Sequence, residues 1–278
     1  MNEKNIPTSK KRILLLQDSS NIPQKYVKNF GHYNNMELKN HLNGKILMLP
    51  MPIGAHSWQE MCTPYLINTL KNTKYWVAEN ARTTRRFLSS LHMEIDIQNL
   101  VIFELNRDSN STELSAFLST HVKTNNIGVS SEAGLPGVAD PGGKVASWGH
   151  QNGIEIVSFI GPGSIFLALS GSGLNGQQFT FHGYPPIKEN DLKPFVLDLC
   201  KNVKNTGYTH IFIETPYRSD RMLKMLLDYG PSDIHLCLAV ALHEENSLLK
   251  TQTLAGWKNN IPTLGKAPSV YLLGMPVH

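Results

Sequence analysis

Ile127-Gly128-Val129-Ser130, continuing into Ser131-Glu132-Ala133-Gly134-Leu135-Pro136-Gly137-Val138-Ala139-Asp140-Pro141-Gly142, reads as a buried strand opening into a glycine- and proline-rich loop. Glycine lets the main chain approach a ligand closely and adopt positive φ, and proline stiffens the loop. Amides and carbonyls can then be presented to a polar small molecule at little ordering cost. Around this stretch, apolar runs alternate with helical patterns. Strands are expected at 45–49, 75–78, 101–105, 126–130 and 154–159, and helices near 58–70, 83–91, 111–122 and 144–151. Repeated βα units of this length imply an α/β fold whose first part is a mostly parallel five-stranded sheet, covered on both faces. Ligands of such sheets bind at the carboxyl ends of the strands. The segments Pro52-Ile53-Gly54, Glu79-Asn80-Ala81-Arg82 and Glu132-Ala133-Gly134 fall there.

A second α/β domain is expected from residue 161, with a mixed sheet. Its helices are expected near 164–169, 191–200 and 218–228, and its strands at 179–183, 210–214, 235–242 and 269–274. Pro185-Pro186 reads as a loop inside this part, not as a boundary. The expected organisation is therefore a basic tail or extension over 1–35, one domain over 36–160 and another over 161–278.

Charge is placed unevenly. Residues 1–35 hold six Lys/Arg against Glu3 and Asp18, which accounts for the whole net charge of +4 and leaves twenty basic and twenty acidic residues in the remainder. The tail reads as an upstream extension or as an arm that attracts RNA. The rest could hold phosphate only through local clusters of cations. Cys62, Cys200 and Cys237 are few, far apart and without CxxC spacing, which points to a reducing compartment and away from a zinc site. Lys10-Lys11-Arg12 precedes only four apolar residues, too few for a signal peptide, and no apolar run reaches membrane-spanning length. A cytoplasmic protein with no membrane partner is expected.

Gly171-Ser172-Gly173-Leu174-Asn175-Gly176 matches the dinucleotide fingerprint in letters, but a helical run precedes it and a strand follows. The order is reversed from what pyrophosphate binding needs, so a helix C-cap and turn is expected. Arg82, Arg85 and Arg86 share one helix face, which is either a solvated surface or a phosphate-binding one. Glu79 and Arg82 past a strand end are either a simple ion pair or a pair facing the cleft.

Six segments occur in a fixed order: 49–54, 77–88, 131–142, 160–164, 181–185 and the turn Ile213-Glu214-Thr215-Pro216-Tyr217-Arg218. Together with the closing Lys266-Ala267-Pro268-Ser269-Val270 they resemble the tetrapyrrole methylase family of S-adenosylmethionine-dependent methyltransferases, and within it the ribosomal RNA small-subunit (16S) cytidine 2′-O-methyltransferase branch. The resemblance covers residues 45 to 278. It departs from the branch at Asn80 and Ala81, which replace an Asp and a Thr, and at 238–246, where an Arg-Glu-Leu-Thr-Lys pattern is absent.

The resemblance implies S-adenosyl-L-methionine as cofactor, in a cleft between the two α/β domains, bound around Pro52, Gly54, Ser131, Glu132, Ala133, Gly134, Gly161, Ser164, Leu242 and Pro268. It implies catalytic roles for Glu79 and Arg82, with Glu79, or else His243, as the base for a ribose hydroxyl. Substrate contacts are expected from Arg85, Arg86, Glu214, Arg218 and His243, and no metal is expected. Ribosomal RNA or the small ribosomal subunit is the implied partner, and a homodimer the implied assembly. A tetrapyrrole or other small-molecule substrate, and a non-catalytic RNA- or cofactor-binding scaffold, remain open.

Overall fold

β1 (Ile46–Met48) is a run of three buried residues that lies between two parallel neighbours, and the sheet around it is built outward from that position. The computed structural model describes residues 44–54, 61–106 and 108–277, which fall in a compact unit spanning Asn43–His278. The expected tail at 1–35 lies outside the described residues.

With β2 (Tyr75–Ala78), β3 (Val101–Glu104), β4 (Ile127–Ser130) and β5 (Ile156–Ser158), β1 forms an all-parallel sheet of order β3-β2-β4-β1-β5. Side chains alternate across it. Ile46, Met48, Val77, Ile127 and Val129 face one cluster, which holds Leu114 and Leu118 of α3 (Ser111–His121) and Val145 of α4 (Gly143–Gln151). Leu47, Leu49 and Trp76 face the other, which holds Leu66 and Leu70 of α1 (Pro64–Asn72) and Phe87 and Leu88 of α2 (Ala81–Ser90). Burial on both faces explains why these strands read as unbroken apolar runs. Because the strands are parallel, all their carboxyl ends open on one edge.

The second sheet has the order β6-β7-β10-β8-β9, from β6 (Phe179–Phe181), β7 (Thr209–Glu214), β8 (His235–Val240), β9 (Leu248–Thr253) and β10 (Ser269–Gly274). Only the β6–β7 pair is parallel, so the sheet is mixed, as expected. One face packs on α6 (Glu189–Thr206) and α7 (Ser219–Tyr229) through Phe212, Leu238 and Tyr271. The other packs on α5 (Ser164–Ser172) through Ile211, Ala239 and Leu272. Tyr271 stacks on Phe212 at 4.9 Å and donates its hydroxyl to the Ser219 carbonyl at 2.7 Å, so the buried phenol is satisfied.

Two elements went unanticipated, β9 and α8 (Leu254–Asn259). β9 is an edge strand with no fully buried residue, so its sequence carries little apolar period. The helix expected near 58–70 is described as α1 and runs on to Asn72; residues 55–60 lie outside the description. Gly173 caps α5 with φ +68°, the turn expected in place of a dinucleotide loop. The three cysteines are free thiols, and burial pushes Cys62 and Cys200 up to about 11. Among the described residues no helix is long and apolar enough to cross a membrane.

Candidate active site

At the carboxyl edge of the parallel sheet, three loops are tied together. Met51 and Gly134 exchange two backbone hydrogen bonds, at 2.8 and 3.0 Å, which join the loop after β1 to the loop after β4. Gly161, after β5, lies so close to Pro50 that a Cβ there would run into the proline ring. Gly54 backs directly onto the carbonyls of Leu242 and His243, where a Cβ would stand 3.0 and 2.8 Å from their oxygens. That last contact joins the first sheet's loops to the turn after β8. Within this turn Ala241 and His243 both take positive φ, at +49° and +63°, a conformation non-glycine residues hold only when their surroundings impose it.

The joined loops enclose a cavity of about 300 Å³, within the range of roughly 300–1,000 Å³ that small-molecule sites occupy. Glu79, Ser131 to Gly134, Ser164, Leu242, Pro268 and Glu214 all line it, so residues from six separate segments of the chain meet there. Pro52 is next to the lining residue Ile53. Gly161 and His243 instead line a second, more apolar cavity beside Tyr65 and Phe159. Arg82, Arg85, Arg86 and Arg218 are not in the wall of the first cavity. Asp140, Phe166, Tyr184, Thr215 and Val270 are in it and were not singled out from sequence. Tyr184 sits in one of the ordered motifs, which was the available signal; Phe166 carried none.

The lining is chemically one-sided. Among the described residues it holds four carboxylates, Glu79, Glu132, Asp140 and Glu214, and no Lys, Arg or His. Glu79 Oε2 accepts the Glu132 amide at 3.1 Å, and Glu132 Oε1 accepts Asn80 Nδ2 at 3.0 Å. Asn80 also caps α2, its Oδ1 accepting the amides of Arg82 and Thr83 at 3.0 and 3.1 Å. An Asp at this position could cap the helix equally well but would face Glu132 with a like charge, so the substitution of Asn matches its neighbour. Asp140 accepts the amides of Gly137 and Gly142, at 2.8 and 2.6 Å, and so closes the loop on itself. Burial raises its pKa while those amides oppose the shift.

Glu214, at the end of β7, is 3% exposed and lies 2.9 Å from Arg218 Nη2. It also accepts the Thr215 amide at 2.7 Å. Arg218 in turn donates to the carbonyl of Pro186 at 2.7 Å and to that of Pro185 at 3.3 Å. The ion pair therefore pins the loop that carries Tyr184, and Arg218 works from outside the cavity wall. Arg82 and Arg86 are exposed and Arg85 half-buried on α2, whose first turn follows directly from Glu79 and Asn80. Among the described residues no group of three or more His, Cys, Asp or Glu is arranged to hold a metal ion.

No protein-family model matches the sequence. The chain is similar to a ribosomal RNA small subunit methyltransferase I of Vibrio cholerae, 27% identical over 210 residues, covering 76% of this chain and 69% of that protein. It is also similar to a protein of the same name from Streptococcus pyogenes, 29% identical over 195 residues, with 70% of this chain and 64% of that protein covered. The matched stretch thus spans about two thirds of each relative. Among solved structures it is similar to the methyltransferase CobJ, with a TM-score of 0.55 and 15% identity over 84% of this chain and 94% of that one. The chain thus has the fold of the tetrapyrrole methylases and is similar in sequence to the ribosomal RNA small subunit methyltransferase I proteins.

Proposed function

We propose that this chain is an S-adenosylmethionine-dependent methyltransferase that 2′-O-methylates a ribose of ribosomal RNA. The observation that carries the reading is the cavity, assembled where the ordered motifs converge and walled, among the described residues, by four carboxylates and no basic side chain. That donor set suits a cofactor bearing a sulfonium and an ammonium. The apolar remainder of the wall, including Ile53, Leu135, Leu242 and Val270, suits a buried nucleoside. Ser131, Ala133, Gly134, Ser164 and Pro268 would hold it. When bound, the cofactor supplies a methyl group activated on its sulfonium.

The chain's own residues align the acceptor, exclude water and move one proton. Glu79 is held at the cavity edge by the Glu132 amide and takes the proton of the ribose hydroxyl at its carboxylate. Arg85 and Arg86 receive phosphate outside the cavity. Residues 36–160 and 161–278 act as two domains that share the cleft. The resemblance also carries a cytoplasmic homodimer.

The alternative substrate, a tetrapyrrole with acid side chains, would meet the carboxylates of Glu79, Glu132 and Asp140 in this lining, Glu214 being paired with Arg218. A ribonucleotide can keep its phosphates outside. Calorimetry with S-adenosylhomocysteine tests the cofactor: one-to-one binding is expected, and a folded chain that does not bind it refutes the reading. Transfer of labelled methyl to small ribosomal subunits, with none to tetrapyrroles, tests the acceptor. Retained turnover in Glu79→Gln would remove Glu79 as the base.

A further inference from the structure

Three aromatic side chains, one on α5 and two on loops of the second sheet, are exposed to solvent beside the cavity. Phe166 is 55% exposed, Tyr184 46% and Tyr217 83%. Phe166 and Tyr184 belong to the cavity wall, and Tyr217 directly follows Pro216, which also belongs to it. Each is held in place. Phe166 meets Phe179 edge-on at 6.1 Å, the Tyr184 loop is pinned by Arg218, and Lys266 Nζ stands 5.8 Å from the centroid of the Tyr217 ring. Pre-positioned rings lose little freedom on binding a flat partner, which favours stacking.

The charge distribution says what kind of partner. Among the described residues the charged groups of the cavity wall are all carboxylates, which disfavours a phosphate there. Outside residues 1–35 the chain has equal numbers of basic and acidic residues, so phosphate neutralisation over a broad surface is not its means of holding nucleic acid. Stacking needs no net charge and is available only to bases that are not already stacked in a duplex.

We propose that Phe166, Tyr184 and Tyr217 form a rim that receives an unpaired nucleobase of the RNA by stacking, with Lys266 placed for the phosphate beside it. This rests on the RNA reading above and names how that substrate is recognised: single-stranded, base inward and phosphate outward.

The test is fluorescence anisotropy of the full chain, saturated with S-adenosylhomocysteine, against a labelled unstructured RNA oligonucleotide and the same strand in a duplex. The single strand should bind more tightly than the duplex. Tyr184→Ala and Tyr217→Ala should each weaken it by about 5- to 150-fold, given about 1–3 kcal/mol per stacked base. Tyr184→Phe and Tyr217→Phe should bind as the parent does, since stacking uses the ring and not the hydroxyl. Far-ultraviolet circular dichroism and urea midpoints that match the parent would show that the alanine variants remain folded.

If the parent binds single strands but the alanine variants bind them equally well, the rim is refuted while the RNA reading stands. If the parent binds S-adenosylhomocysteine but no RNA, both fall. A loss of RNA affinity that coincides with a change of oligomeric state in gel filtration would assign the rim to a contact between copies and also overturn the proposal.

Discussion

Replacing Gly54 by alanine should separate the two halves of the site. The added Cβ would lie 2.8 Å from the His243 oxygen, 3.0 Å from its carbonyl carbon and 3.0 Å from the Leu242 oxygen, where ordinary contact begins at 3.4 Å. All three atoms are backbone, so no rotamer change relieves the clash, and the Leu242–His243 main chain must retreat by about 0.6 Å, the difference between 3.4 and 2.8 Å. That main chain is already held at positive φ on both sides of Leu242, which leaves little slack. The expected cost is about 1–3 kcal/mol, as for overpacking. Because Ile53 and Leu242 both wall the cavity, S-adenosylhomocysteine affinity should fall by about tenfold as well. Gly176 is the control: nothing lies within 4 Å of a Cβ there and its φ is not positive, so Gly176→Ala should be neutral or stabilising by up to about 1 kcal/mol. Urea unfolding of the two variants gives the stabilities and calorimetry the affinities. The same sign of stability change in both, or an unaltered affinity in Gly54→Ala, would refute the close-approach argument.

Three further outcomes are expected. Arg218→Leu leaves Glu214 buried without its cation and should cost about 3 kcal/mol by urea unfolding, while adding Glu214→Gln should recover part of the loss; no recovery would show that the ion pair does not carry the effect. His182 Nε2 and His210 Nδ1 lie 2.8 Å apart, and burial pulls both below the ordinary 6.5, most strongly opposed by Asp198, with His182 further lowering His210. Just below 6.5 the unfolded chain therefore takes up more protons at these two sites than the native state does. Stability should hold above about 6.5 and fall below it, by at most about 1.4 kcal/mol per pH unit per group; urea midpoints that stay level or rise on acidification would contradict this. An ammonium analogue of the cofactor should bind at least about tenfold more tightly than neutral S-adenosylhomocysteine, with the ratio shrinking between about 0.05 and 0.5 M salt; equal affinities would mean that the carboxylate wall does not select charge.

What could be read in advance and what could not divide along physical lines. The strands of the first sheet were legible because burial on both faces leaves an unbroken apolar run, as at Tyr75–Ala78, found where expected. The same chemistry hid β9, whose edge position asks for no such run. At the site, Glu79 and the 131–134 loop were legible because strand ends of a parallel sheet point at a common edge, and Glu214 because it stands in the 213–218 turn that carries the family resemblance. Phe166 and Tyr184 were not, since their place in the wall depends on how the second sheet's helix and loop are laid against the first sheet's loops, which no local period encodes. Arg218 shows a third case. Its i,i+4 partner Glu214 was visible in the turn, but its donation to the Pro185 and Pro186 carbonyls, about thirty residues away, turns it from a wall residue into the clamp of one.

The charges of this protein are sorted in space. The cavity wall is acidic, the arginines lie on the outer turns of α2, and the mouth is edged with rings and one lysine. An acidic wall alone would admit a cationic cofactor and repel every nucleic acid. A basic wall would draw phosphate into the place the cofactor needs. On the proposed function, acids inside with rings and cations outside would favour a sulfonium within and turn a nucleotide so that its phosphates stay in solvent and its sugar faces inward. The same field would separate the two ligands and orient the second, so the equal numbers of acidic and basic residues over 36–278 are compatible with an RNA substrate.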